Sequence, residues 1–319
     1  MKDAWRNNAL ALSAAAMVAS IIAVIVIAAI SGVSLSHIFD HVHGSWIVIV
    51  ATAEAASLLP YMVAYRQLAV ASGQTPPKLS IVIAVVLAGF GPFVAGGGFS
   101  LDRKVLESVY GDRETARVQV IGLVALEWAV LAPLVWLASV ILLIQGATIA
   151  GSIPWYWAIG VPLGFIAVLW VTRPEHTLAW LRRWTYVAGL IEGIRMIHTF
   201  LREPLRTSPA WIPMVLYWLL ELLALYAALR LFGVHLGLIR TTMAYGTGYV
   251  VTRRSLPLAG AAVTEVLLTF ALHWCGAPLG PALAAVVAYR LFNLVLTAGP
   301  SLLAGRGLTR AMDTGSLSG

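Results

Sequence analysis

The sequence predicts an all-α, polytopic integral membrane helix bundle. It further predicts two oppositely oriented re-entrant helical hairpins, arranged as an inverted repeat, and one cytoplasmic amphipathic helix. Three observations predict this fold class. The first is composition: of 319 residues, 60% are hydrophobic and 11% charged, with a mean hydropathy of +0.87. A soluble domain carries roughly 25% charged residues. The second is the recurrence of apolar runs that reach the roughly 20 residues needed to cross a bilayer. The third is the clustering of Lys and Arg in alternate connections, the signature of loops held on the cytoplasmic side. Everything from 1 to 319 reads as one transmembrane domain.

The elements follow in order. Asn7 to Ser36 contain no Asp, Glu, Lys, Arg or His. A signal peptide has an apolar core of only about 7–15 residues, so 9–33 is read as a retained first span. Spans 45–71 and 118–144 complete a first half, 1–145, which also contains a broken apolar region at 79–101. Gly151 and Pro154 divide the uncharged run from Trp128 to Thr172, making 154–172 a separate span. Within the linker 146–208, the stretch 176–203 sets Leu178, Leu181, Ala188, Ile191, Ile194 and Leu201 near one helical face. Arg182, Arg183, Glu192, Arg195 and Arg202 fall elsewhere. That pattern suits a helix lying on anionic headgroups. The second half, 209–305, holds spans 209–232 and 279–304, with a second broken region at 236–275. The small, polar segment 306–319 reads as a flexible tail.

Charge placement orders these spans. Lys2 and Arg6 precede the first span, and the next connection, "SLSHIFDHVHGS", has neither Lys nor Arg. Arg66, Lys78, Arg103, Lys104, Arg113 and Arg117 come next; the connection near 145–153 again has none. Arg173, Arg182, Arg183, Arg195, Arg202 and Arg206 follow, then Arg306 and Arg310. All four groups lie on the cytoplasmic side, with both termini, only if 79–101 enters and leaves from the cytoplasm and 236–275 does so from outside. The turns of these hairpins fall on Gly91, Pro92 and Gly97 and on Pro257 and Gly260. Broken helices at membrane depth are tolerated only inside protein or along a wet cavity. Paired once per half, they point to a substrate site. Arg230 and Arg240 sit at the outer edge, against the charge rule.

Charges inside spans are costly and functional by default. Glu54, Glu127, Glu221 and Glu265 lie in apolar helices, and Arg253, Arg254 and Arg290 are the candidate counter-ions. Glu–Arg pairs that only pin helices together are the bland alternative. Two adjacent arginines beside a broken hairpin exceed what pairing requires, and the planar guanidinium suits phosphate. The seven residues form the candidate headgroup-binding set. His37, Asp40, His41 and His43 read as a solvated loop, and no metal or cofactor motif is present. One cysteine, Cys275, excludes an internal disulfide. The net charge of +7 fits loops against anionic lipid and not a nucleic-acid partner. No Ser/His/Asp or metalloprotease spacing suggests an enzyme.

From 215 to 300 the sequence, with "RRSLPLAGAAVTE" at its centre, resembles the transmembrane-region family of lysylphosphatidylglycerol synthase/flippase proteins. Leu256, Pro257, Gly260 and Glu265 match the family's turn, and Tyr289 and Arg290 match its Tyr-Arg pair. Ala259, Ala261 and Ala262 stand where glycines are commoner. Of the family's cluster after the first hairpin only Glu127 is present, followed by Trp128 and Leu131. A fainter similarity extends over 35–310, without an aminoacyl-transferase domain. The resemblance implies a stand-alone lipid translocase for a phosphate-bearing lipid, such as an aminoacylated phospholipid or an isoprenoid phosphate. Membrane lipids are then the partners, with a separate lipid-modifying synthase or a second copy of the chain as further ones. The alternatives left open are a proton-coupled transporter of a small anion, a lipid-modifying enzyme and a non-catalytic partner of such an enzyme.

Overall fold

A computed structural model describes residues 2–31, 42–91, 94, 97–172, 185–249 and 262–313. Among them, all regular structure is helical: α1 (Lys2–Ser31), α2 (Ser45–Ala71), α3 (Leu79–Phe90), α4 (Gly98–Tyr110), α5 (Arg113–Ile144), α6 (Ile153–Val171), α7 (Thr185–Arg202), α8 (Pro204–Leu231), α9 (Leu238–Gly248), α10 (Val263–Trp274) and α11 (Leu279–Asp313). Five of these, α2, α5, α6, α8 and α11, are long and apolar enough to cross a membrane. The chain is a multi-pass membrane protein. The outer surface agrees: on α6, Trp155, Ile159, Leu163, Ile166 and Trp170 recur every third or fourth residue, each more than half exposed. Such a face is stable against lipid and not against water.

Helix ends explain where the observed boundaries differ from the hydropathy ones. Asp112 caps α5, accepting from the backbone N–H groups of Glu114 (3.2 Å) and Thr115 (2.8 Å). Its carboxyl is held below the usual range by the Thr115 hydroxyl, then by those amides. The helix therefore begins at Arg113, among charges, and not at 118. Pro204 stands in the first turn of α8, where a missing N–H costs nothing. At the C-terminal end, α11 continues to Asp313 instead of yielding a tail from 306. Leu308 is 3% exposed, and Ala311 and Met312 pack against the core. Residues 314–319 lie outside the described residues.

The order long helix, short helix, break, short helix, long helix occurs twice, as α2–α5 and α8–α11. The central pair α2 and α8 has the most extensive contact. Contacts between halves are reciprocal: α3 packs on α11 and α9 on α5, while α2 touches α11 and α8 touches α5. Hydrogen bonds join the chain on either side of each break. In the first, Gln119 near the start of α5 donates to Ser72 Oγ at the end of α2, 2.5 Å away. In the second, Arg240 near the start of α9 donates to the carbonyl of Cys275, just after α10, at 3.0 Å. The His43 N–H, just before α2, donates to the carbonyl of Leu231, the last residue of α8 (2.9 Å), so α2 and α8 run antiparallel.

The expected amphipathic helix forms as α7. Ile191 is buried, Ile194 half-buried and Leu201 55% exposed. The helix leans on α5 at a glycine crossing: a Cβ on Gly193 would stand 2.4 Å from Ile121 Cγ2, and one on Gly122 2.3 Å from Met196 Sδ. Leu178, Leu181, Arg182 and Arg183 lie outside the described residues.

Candidate functional site

The antiparallel α2–α8 pair brings two acids to one depth. Glu54 is nine residues into α2 and Glu221 ten residues from the end of α8. At 1.5 Å per residue, both lie about 14 Å from the end where His43 meets Leu231. Glu54 is 4% and Glu221 0% exposed. Three hydroxyls converge on Glu221. Ser57 donates to Oε1 (2.9 Å), Tyr289 to Oε2 (2.5 Å), and Tyr245 reaches Oε2 at 3.5 Å. Buried polar groups demand such partners.

Glu127 is 2% exposed on α5 and accepts from Tyr61 OH of α2 at 2.6 Å. Its backbone carbonyl accepts from Trp218 Nε1 at 3.1 Å. An aromatic wall links these acids. The Tyr61 ring meets Phe90 (4.8 Å) and Tyr217 (5.0 Å) edge-on, and Tyr245 stacks on Tyr249 at 4.8 Å.

The third acid forms an ion pair. Glu265, in the first turn of α10, accepts from Arg290 Nε of α11 at 3.1 Å, and both side chains are 2% exposed. Ser20 of α1 donates to the same oxygen at 3.2 Å. The other oxygen, Glu265 Oε2, is buried without a hydrogen-bond partner among the described residues, as is Thr269 Oγ1. Residues 265 and 269 are one turn apart on α10, on one face.

A polar stripe begins at this pair. Arg290, Asn293, Thr297 and Ser301 recur at i, i+3, i+7 and i+11 on α11, and each is at most 3% exposed. At its far end, a Cβ on Gly91 would stand 2.2 Å from Ser301 Oγ. Only a glycine allows that approach. The stripe thus runs along α11, from three residues past the second break to the start of the first, over about 16 Å.

The structure brings Glu265 and Arg290 together and sets Glu54 and Glu221 at one depth. It sets Glu127 against Tyr61. Gly91 ends α3, and Gly97 precedes α4 with φ +77°. Arg253, Arg254, Pro92, Pro257 and Gly260 lie outside the described residues, as do His37, Asp40 and His41. Sequence reasoning passed over Ser57, Tyr61, Tyr245, Asn293, Thr297 and Ser301. The helical spacing of the last three with Arg290 was the available signal; single hydroxyls in apolar helices carry none. Among the described residues, no group of three or more His, Cys, Asp and Glu could hold a metal ion. No family model matches the chain, and no curated protein matches it.

Proposed function

We propose that this chain is a flippase-like membrane lipid translocase, moving a phosphate-bearing lipid between leaflets of the cell membrane. The observation that carries the reading is the buried polar stripe from the Glu265–Arg290 pair to Gly91. Moving a headgroup through hydrocarbon requires polar partners along the way, since an unpaired polar group there costs several kcal/mol. A guanidinium and a carboxylate at one site match a headgroup with both phosphate and amine, and each half of the headgroup could replace one partner of the protein's own pair. Arg253 and Arg254 are the expected further phosphate ligands.

In this reading the two broken units are re-entrant hairpins of an inverted repeat. The reciprocal packing of the halves, the hydrogen bonds across each break and the antiparallel α2–α8 pair support it. The end bearing Lys78, Arg103, Lys104 and Arg113 faces the cytoplasm, with both termini, and α7 lies at that surface. The resemblance to the lysylphosphatidylglycerol flippase region supports an amino-bearing phospholipid as substrate, made by a separate synthase. The mechanism involves no covalent step.

The test reconstitutes the purified chain in liposomes with a fluorescent phospholipid. Thr297→Val with Ser301→Ala keeps side-chain volume close to native and makes half of the stripe apolar. Losing one hydrogen bond at the top of the barrier slows flipping about tenfold. An unchanged rate in folded variant protein overturns the reading. Glu221 supports a second reading, proton-coupled transport of a small anion: its partners among the described residues are three hydroxyls and no base.

A further inference from the structure

Arg230 and Arg240 violate the charge rule that orders the other connections, and the structure shows what surrounds them. The Arg230 guanidinium lies 4.9 Å over the Tyr226 ring. It donates to the Tyr226 hydroxyl through Nε (3.0 Å) and Nη2 (2.6 Å) and contacts His235 Nδ1. Arg240 donates through Nη1 to the Cys275 carbonyl at 3.0 Å. Among the described residues, neither guanidinium has a carboxylate partner, so two fixed positive charges stand uncompensated at the rim of an apolar bundle.

Arg240 opens on a cavity of about 350 Å³, lined also by Gln145, His235, Gly237, Leu238 and Gly276. Three connections meet there: α5–α6, α8–α9 and α10–α11. The helix α9 begins at its edge, and Gly237 provides no side-chain cap. The first-turn N–H groups therefore have no intrahelical partner and carry the positive end of the helix dipole. Gly276, at φ +107°, holds the guanidinium close: a Cβ there would stand 2.9 Å from Arg240 Nη1.

We propose that this cavity binds the phosphate group of an anionic ligand. Three kinds of donor line it: the Arg240 guanidinium, the N–H groups at the start of α9 and the Gln145 amide. A tetrahedral oxyanion can accept from all of them at once. The volume is roughly ten times the share of one liquid water, which leaves room for whatever the phosphate is attached to. That chemistry is common to a lipid headgroup and to free phosphate. The site shares no residue with the Glu265–Arg290 pair and does not depend on translocation.

The test measures binding and not transport, using the full chain purified in detergent. Two probes are used: inorganic phosphate, by calorimetry, and phosphatidylglycerol, by native mass spectrometry. Wild type binds at least one of them. Arg240→Ala removes a charge-assisted contact and weakens that probe about tenfold. Arg240→Lys recovers only part, because an ammonium cannot fork. Gln145→Leu, at an exposed helix end, and Gly276→Ala, which displaces Arg240 while keeping every polar side chain, each weaken it too. These two carry the test if Arg240→Ala fails to fold. Phosphate that displaces the lipid identifies a site open to either source; lipid binding unaffected by phosphate identifies a headgroup site. Wild type that binds neither probe, or folded variants that bind as wild type does, overturn the proposal. A negative flipping assay leaves it standing, and a lost binding signal here leaves the translocation reading standing.

Discussion

Ala262 occupies φ +67°, ψ −46°, the one non-glycine residue with positive φ among the described residues. A non-glycine residue in this sparsely populated region costs about 1–3 kcal/mol. The residue sits immediately before α10 and three residues before Glu265, so the strain lies where the ion pair is aimed. Ala262→Gly should release it, offset in part by the greater freedom of glycine in the unfolded chain. The expected net gain is about 1 kcal/mol, read as a higher midpoint of thermal unfolding in detergent. A lower midpoint would mean that the alanine is not strained there. Composition does not mark this position, because alanine is the best of helix formers and gives no sign of a turn.

At the scale of elements, glycines allow close approach, and the cost of adding a methyl depends on what it meets. At Gly122 the obstacle is the flexible end of Met196. At Gly193 it is the β-branched Ile121, with Cγ2 at 2.4 Å and Cβ at 2.6 Å. Gly193→Ala should therefore lower stability more than Gly122→Ala, by about 1–3 kcal/mol against less than that. Paired thermal melts decide it, and the reverse order would show that α7 does not rest on α5 at this crossing. Helix existence was legible from the apolar runs, and the spans 45–71 and 154–172 fall within a residue of α2 and α6. Starts were less legible. Capping by Asp112 and the proline at the start of α8 extend helices into polar sequence that a hydropathy window rejects.

For the whole molecule, the proposed orientation is open to direct measurement. His43 and Lys104 are exposed, the proposed topology sets them on opposite sides of the membrane, and the native Cys275 is buried. A membrane-impermeant maleimide should label His43→Cys in intact cells and Lys104→Cys only after lysis. The opposite pattern would place the basic end outside. The sequence by itself determined a multi-pass helical membrane protein with two broken regions, because hydropathy, breakers and charge are local properties of the chain. It also marked the acids in the spans, since a carboxylate in an apolar run stands out wherever it folds. Only the tertiary structure decided their partners. Glu265 takes Arg290, Glu127 takes Tyr61, and Glu221 takes hydroxyls from α2, α9 and α11. Partner choice depends on the rotation and relative depth of helices far apart in sequence. Those are set by the packing of small and aromatic side chains in three dimensions, which no window along the chain contains.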